Sequence, residues 1–162
     1  MLTGQIPIVY TYSIKGISYR EPTGAIDDTE GISVHTPRLD TFAFTEVLPM
    51  PHVAKPFGRK FESTVETRIA KSTFKTLNGR TIRQQVVFEG RDSLLFLDKW
   101  TPCYKVKMEN VDLHEQVGHY VAYYWFNEEY GFVRFLYLLP EGKSVDIKLT
   151  EVPYFVGKRK GQ

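Results

Sequence analysis

The sequence predicts an all-β domain, or a β-rich domain with one short helix, in which an antiparallel meander forms a barrel, half-barrel or sandwich. First, apolar residues recur with a period of two in several runs, whereas the helical period is nearly absent. Second, aromatic residues make up 14% of the chain, with 11 Phe and 10 Tyr, and these side chains suit the pleated surface of a strand. Third, short turn signals built from Gly, Pro and Asn separate the alternating runs.

The bulk composition limits the classes of protein. The 162 residues fit a single β domain over 1–156, followed by a flexible basic tail at 157–162. A net charge of +2 does not indicate a nucleic-acid partner, and no run is apolar for long enough to predict a transmembrane segment. The N-terminus does not resemble a signal peptide. We expect a periplasmic or secreted location if a signal was removed before Met1, and a cytoplasmic one otherwise.

The first third contains one clear strand and one irregular stretch. Residues 8–14 alternate apolar and polar side chains, which predicts a half-buried strand. Residues 21–60 contain five prolines, and proline lacks the N–H that a sheet interior needs. We therefore expect loops, edge strands or a strap across one face, with short strands near 31–35 and 41–48.

The middle third contains a hairpin signal and an ambiguous stretch. Asn78-Gly79 lies between two alternating runs and predicts a two-residue turn, joining a strand that ends near Leu77 to one over 80–89. We expect a bulge or an exposed hairpin tip near 71–75. Residues 93–100 fit either a short helix or a buried strand. A clear strand begins at Tyr104.

The last third predicts a meander of three strands at about 119–126, 132–139 and 144–152. A turn at 139–143 sets the register, so that Tyr137 faces Val145, Phe135 faces Ile147 and Val133 faces Leu149. The opposite face is also largely apolar and carries Val121, Tyr123, Trp125, Phe132, Leu136 and Leu138. Since the middle strand is apolar on both faces, it needs two covers. One is the main core, and the second is either the proline-rich stretch or residues 93–100.

The aromatic face of this meander is the main candidate site. Ligand pockets are lined by apolar and aromatic side chains with a few polar groups, and tyrosine hydroxyls would supply those groups. A solid core is the competing interpretation. The predicted ligand-binding residues are Tyr120, Tyr124, Phe126, Val133, Phe135 and Tyr137.

The sequence offers no catalytic constellation, so we lean against an enzyme and predict no cofactor. Cys103 would need a nearby histidine to act as a nucleophile, and a small buried residue is the simpler interpretation. His114 and His119 are five residues apart, whereas the helical zinc motif places its histidines four apart. We predict no metal site.

Residues 103–152 resemble the closing strands of bacterial envelope β half-barrels similar to the lipoprotein-localisation carriers. The resemblance is carried by Cys-Tyr-Lys-Val at 103–106, by the run from Tyr124 to Val133, by Gly142, and by Leu-Thr-Glu-Val at 149–152. It implies an exported protein that encloses acyl chains or another apolar ligand, and it carries no catalytic residue. The proline-rich stretch departs from that pattern.

These observations lead to two functional hypotheses. The first is a non-catalytic binding domain with an aromatic-lined cavity or groove for an apolar small molecule or acyl chain. The alternative is an interaction or structural subunit, whose second aromatic face, with Trp125 and Leu136, packs on a protein partner or on another copy of itself as a homo-oligomer.

Overall fold

The computed structural model describes residues 5–14, 16–36, 50–68, 78–111 and 118–150, and these form two antiparallel sheets. Sheet A has the order β1-β2-β3-β4, and its strands are β1 (Gln5–Ile14), β2 (Ile17–Asp27), β3 (Gly31–Val34) and β4 (His52–Ala54). Sheet B has the order β10-β9-β8-β7-β6-β5. Its strands are β5 (Glu62–Arg68), β6 (Thr81–Phe96), β7 (Lys99–Asn110), β8 (Val121–Asn127), β9 (Gly131–Leu138) and β10 (Ser144–Lys148). The helical content of the described residues is one 3-10 turn, Pro140–Gly142. The all-β prediction is confirmed.

The main core lies between the two sheets. Ala25, Val34 and Val53 of sheet A pack with buried side chains of sheet B, as in a sandwich of two facing sheets. We call this side of sheet B its inner face. Its buried residues are Ile82, Val86, Val106, Met108, Ala122, Tyr124, Phe126, Phe135 and Tyr137.

The segment between the sheets closes one end of this core. Phe57 packs on Phe126 with ring centroids 4.8 Å apart, and Phe61 stacks on Phe88 at 6.2 Å. A methyl group added at Gly58 would lie 2.7 Å from the Tyr104 ring, so this turn rests directly on β7. The segment therefore covers the inner face as far as Tyr104.

Part of the proline-rich stretch forms strands of sheet A, and residues 37–49 of it lie outside the described residues. Residues 21–27 belong to β2, and β3 and β4 follow. Pro22 fits because β3 pairs with β2 over Ala25–Asp27 alone, so that at Pro22 the described part of the sheet has β1 on one side and no strand on the other. The expected strand at 31–35 is confirmed as β3, and the one at 41–48 lies outside the described residues.

The hairpin of β5 and β6 exists, but its register differs from the prediction. A two-residue turn at Asn78-Gly79 would pair Thr81 with Thr76. The structure pairs Thr81 with Arg68 instead, so Asn78-Gly79 does not close the hairpin, although Gly79 adopts the expected positive φ of 74°. Residues 69–77, which include the expected bulge or tip, lie outside the described residues.

Residues 93–100 form the end of a second hairpin rather than a helix. β6 and β7 pair up to Phe96 and Lys99, and Leu97-Asp98 makes the two-residue turn. The stretch is a strand, as one of the two interpretations held, but only one of its faces is buried. Leu94 and Phe96 pack on the outer face of sheet B, while Leu95 is 63% exposed.

The meander of the last third is confirmed. β10 pairs with β9 so that Val145 faces Tyr137 and Ile147 faces Phe135, as the loop length predicts. The Leu139 N–H donates to the Lys143 carbonyl at 2.8 Å and closes the turn. Glu141, at φ 64°, and Gly142, at φ 72°, both adopt left-handed conformations.

A bulge in β9 exchanges two predicted positions. Trp125 pairs with Arg134 and Phe126 pairs with Phe132, so Val133 is an extra residue in β9. Consequently Phe132, expected on the outer face, packs into the main core, and Val133, expected on the inner face, packs on the outer face. Simple alternation was wrong at these two residues because it cannot include an inserted residue.

Candidate functional site

Five of the six predicted ligand-binding residues lie together in the main core. Tyr124, Phe126 and Tyr137 are 0% exposed, and Tyr120 and Phe135 are 1% and 5% exposed. Their rings contact one another or their neighbours at centroid distances near 6 Å, for example 6.2 Å between Tyr124 and Phe135. The predicted face exists, and its side chains are packed against each other and against sheet A.

The tyrosine hydroxyls of this core are held as neutral groups. The Tyr124 hydroxyl donates to Met108 Sδ at 3.0 Å, and burial raises its pKa well above the ordinary value. Burial likewise raises the pKa of Tyr137. The Tyr10 hydroxyl of β1 donates to the His35 carbonyl at 2.8 Å and ties sheet A to the same region. The hydroxyls of Tyr124 and Tyr10 therefore act as structural polar groups.

The sixth residue, Val133, belongs to a smaller cluster on the outer face of sheet B. Its buried members are Phe96, Cys103, Trp125 and Val133, with Leu94, Tyr123, Tyr130, Leu136 and Leu149 packed around them. Leu94 and Phe96 join this cluster from β6 of the same sheet, so the separate second cover expected over the meander stays a prediction.

Trp125, a buried member of this outer cluster, forms a hydrogen bond and two cation–π contacts. It is 5% exposed, and its Nε1–H donates to Asp92 Oδ2 at 2.8 Å. The Arg134 guanidinium lies 4.8 Å from its ring centroid and the Lys105 ammonium 5.7 Å, within the range of cation–π attraction. The face that the alternative hypothesis assigned to a partner is thus covered by the chain itself at Trp125.

Cys103 is placed as a structural residue. It is 4% exposed, and its thiol donates to the Thr101 carbonyl at 3.4 Å. Burial and the nearby Asp92 carboxylate raise its pKa from 9.0 to about 11. A nucleophilic cysteine needs a lowered pKa, so this environment opposes thiolate chemistry.

In the described ranges, three of the four large apolar side chains that are more than half exposed lie at the end of the β6–β7 hairpin. Trp100 is 74% exposed, Leu95 63% and Leu97 53%. Leu95 pairs directly with Trp100 across the hairpin, and Ser93 with Pro102. We call Leu95, Leu97, Trp100 and Pro102 the hairpin platform.

The hairpin platform continues the inner face beyond its cover. Trp100, Pro102 and Tyr104 alternate along β7 and share one face. Tyr104 meets the turn at Gly58, and its hydroxyl donates to Glu128, whereas Pro102 and Trp100 are exposed. This sheet face is covered at Tyr104 and exposed to solvent from Pro102 to the end of the hairpin.

The turn that ends the hairpin is unfavourable for its residues. Leu97 and Asp98 have φ values of 47° and 61°, as a type I′ turn requires, and Asn-Gly is the preferred pair at these positions. A leucine with positive φ is a genuine outlier. The chain therefore places a large apolar residue at its tip against the local conformational preference.

Two surface depressions lie elsewhere. One, of about 600 Å³, is lined by Thr29, Lys55, Pro56, Phe57 and Glu128. The other, of about 380 Å³, is lined by Glu109, Asn110, Val111 and His119. Neither is lined by a predicted ligand-binding residue.

The described ranges contain no candidate metal site, because no three of their His, Cys, Asp or Glu side chains lie close enough together to hold a metal ion. No helix in these ranges is long and apolar enough to cross a membrane. His119 lies 3.4 Å from Glu109, and His114 falls outside the described residues.

The hairpin platform was hard to predict from the sequence. The run Leu94-Leu95-Phe96-Leu97 has no period of two, and Leu-Asp is not a typical turn pair. One signal was available, because Pro102 within an apolar run favours an edge strand.

Comparison with known proteins gave no relative. No protein-family model, no curated protein and no solved structure matches this chain. The resemblance to envelope half-barrels therefore stays a prediction, and the function is argued from the geometry alone.

Proposed function

We propose that this chain is a non-catalytic binding domain that docks another polypeptide through the hairpin platform. The observation that carries the proposal is the grouping of Leu95, Leu97 and Trp100, each more than half exposed, on one projecting hairpin. Single exposed apolar residues are ordinary, but grouped ones mark interaction sites. Tryptophan is also among the residues that most often dominate the energy of protein interfaces.

The strained turn supports the same proposal. Holding Leu97 in a left-handed conformation costs about 1–2 kcal/mol, and Asn or Gly would avoid most of that cost. Strain at an exposed position is typical of functional sites, where stability is given up for binding. A turn serving stability alone would not favour a leucine here.

The packing of the main core is an argument against ligand binding by the residues that the sequence predicted. An apolar small molecule or acyl chain held by Tyr124, Phe126 and Phe135 would have to displace rings that already contact each other. Interior packing of this kind leaves few voids larger than a water molecule. The cavity hypothesis stays a prediction, and a folded protein that fails to bind a fluorescent fatty-acid analogue would count against it.

The test is selection against a displayed library of random twelve-residue peptides. The wild type and two variants, Trp100→Ser and Ile17→Ser, are screened in parallel. Ile17 is a matched control because it is 59% exposed at the end of a different hairpin, β1–β2. We expect the wild type and Ile17→Ser to enrich the same peptides and Trp100→Ser to bind them at least tenfold more weakly.

Two results would overturn the proposal. The first is a folded wild type that enriches no peptide, and the second is enrichment that Trp100→Ser leaves unchanged. Light scattering on the unliganded protein adds a further outcome. Self-association that Trp100→Ser abolishes would identify the partner as a second copy of this chain.

A further inference from the structure

The two backbone edges of the β6–β7 hairpin differ. On the β7 side, β8 pairs with β7 from Tyr104 onward, and beyond that point Asn127 Nδ2 donates to the Pro102 carbonyl at 2.8 Å. Pro102 itself has no N–H to offer. Proline is a common means of closing an exposed edge, and the bond from Asn127 occupies the Pro102 carbonyl, so this edge is blocked at Pro102.

The β6 side is less protected: in the described ranges neither a proline nor a neighbouring strand closes it, although the Ser93 N–H is bonded to Asp92 Oδ1. β5 pairs with β6 up to Val87, and the Phe88 N–H donates to the Phe61 carbonyl at 3.0 Å. The chain before Phe61 leaves β6, since Gly58 packs on Tyr104 instead. Past Phe88, no strand in the described ranges pairs with β6 on this side.

Hairpin geometry identifies the backbone groups that face outward there. With a two-residue turn, the pair next to it, Phe96 and Lys99, exchanges both backbone hydrogen bonds. Alternate residues of β6, namely Arg91, Ser93 and Leu95, therefore direct N–H and C=O away from β7.

Two contacts agree with this assignment. Pro102 lies opposite Ser93, and a residue without an N–H fits only a pair that does not exchange hydrogen bonds. The Ser93 N–H donates to Asp92 Oδ1 at 2.7 Å rather than across the hairpin. The outward N–H groups of Arg91 and Leu95, and the carbonyls of all three residues, face the open edge.

We propose that this edge accepts an extended peptide segment of the partner as an added strand beside β6. The inference rests on the proposed function and specifies how the partner binds. An unpaired row of backbone donors and acceptors is complemented by another strand, whose main chain gives affinity while alternate side chains give specificity.

The side chains along the edge define the chemistry of the peptide. Leu95 and Arg91 lie on the same face, four residues apart. Within the described ranges, Arg91 forms no ion pair. Cross-strand apolar pairs and opposite charges stabilise adjacent strands. The preferred peptide therefore carries an apolar residue beside Leu95 and, four positions away, an Asp or Glu beside Arg91.

The experiment uses synthetic versions of the library-selected twelve-residue peptides. Binding is measured to the wild type, Ser93→Pro and Ser93→Ala. Proline adds ring atoms at the edge where the added strand would lie and also removes the N–H that donates to Asp92. Alanine keeps the backbone intact, and both variants leave Leu95 and Trp100 in place. We expect Ser93→Pro to weaken binding at least tenfold and Ser93→Ala less than threefold.

A second measurement is independent of whether Ser93→Pro folds. Each peptide is N-methylated at one backbone position at a time and tested on the wild type. Strand addition predicts loss of binding at every second position, because alternate N–H groups face β6.

The two proposals fail in different ways. Peptides that depend on Trp100 but show no period of two on N-methylation would overturn strand addition and leave the docking proposal standing. Folded Ser93→Pro binding as tightly as Ser93→Ala would do the same. Absence of any enriched peptide would overturn both.

Discussion

The inner face of sheet B has two parts that share one alternation of apolar residues but differ in their exposure to solvent. Under sheet A, alternate residues of β7 and β8 such as Val106, Tyr124 and Phe126 are 0% exposed. At the end of the β6–β7 hairpin, the same alternation continues through Pro102 to Trp100, which is 74% exposed. The two parts differ in the cover above them, which ends at the turn on Tyr104, and not in the apolar character of their side chains.

The comparison shows that aromatic content alone does not locate a binding surface. Where the rings have a facing sheet, they serve the stability of the fold, since burying apolar area drives folding. Where the cover ends, the same kind of side chain becomes available to a partner. The following substitutions probe the two parts, from the largest expected effect on stability to the smallest.

Truncating the covered part should destabilise the fold severely. Phe126→Ala removes a ring that packs on Phe57 at 4.8 Å and on Phe132 at 5.3 Å. We expect the free energy of unfolding to fall by about 3–5 kcal/mol, measured by urea denaturation. A loss below about 1 kcal/mol would show that this region is loosely packed and would restore the cavity hypothesis.

Removing the carboxylate on the outer face should cost less. Asp92→Ala deprives the buried Trp125 Nε1–H of its acceptor, and an unsatisfied buried donor costs about 1–3 kcal/mol. Urea denaturation at pH 7 measures the loss. Asp92→Asn is the control, because its one side-chain oxygen can still accept the bond from Trp125, although its amide nitrogen cannot accept the bond from the Ser93 N–H.

The Asp92 carboxyl should also make the stability of the protein depend on pH. The hydrogen bond from Trp125 lowers the pKa of Asp92 below its ordinary value of 3.8. A carboxyl with a lowered folded-state pKa stabilises the protein above its unfolded pKa, and that contribution is lost as the pH falls through the folded pKa. Thermal unfolding between pH 5 and pH 2 should show a shallower acid decline for Asp92→Asn than for the wild type. Equal slopes would contradict the assigned contact.

Relieving the strained turn should stabilise the protein. Leu97→Asn replaces a leucine at φ 47° with a residue that tolerates the left-handed conformation, so we expect a gain of about 1 kcal/mol. Its binding to the selected peptides should weaken at the same time. A variant that is less stable than the wild type would show that Leu97 supports the fold.

Truncating a side chain of the hairpin platform should leave the free energy of unfolding almost unchanged. Trp100→Ser removes a side chain that is 74% exposed, and surface substitutions of this kind change the free energy of unfolding by no more than about 0.5 kcal/mol. Urea denaturation of this variant and of Phe126→Ala should therefore give opposite results. A loss above about 2 kcal/mol would place Trp100 in the core.

The sequence predicted those parts of the fold in which local pattern and turn length act together. The register of β9 and β10 followed from the five-residue turn at 139–143, because loop length fixes which residues face each other. The Asn78-Gly79 signal failed because a favourable turn pair does not close a hairpin whose strands pair in another register. The bulge at Val133 had no sequence signal and reversed two side chains.

The candidate site was harder to predict than the fold. Alternation placed Tyr124 and Tyr137 on one face correctly, yet it does not reveal how far the opposite sheet extends. That limit is set by long-range packing, such as Gly58 on Tyr104, which links residues far apart in the chain. For the same reason, the sequence did not distinguish the exposed Leu95 from the buried Phe96.

The chain's two tryptophans allow a direct test of the central claim that the hairpin platform is exposed. Trp125 is buried in the outer cluster and is 5% exposed, whereas Trp100 on the hairpin platform is 74% exposed. Acrylamide quenching of fluorescence is measured on Trp125→Phe, which leaves Trp100, and on Trp100→Phe, which leaves Trp125. We predict strong quenching and red-shifted emission from Trp100, with weak quenching and blue-shifted emission from Trp125. Equal quenching of the two, or a shielded Trp100 in the folded monomer, would contradict the account.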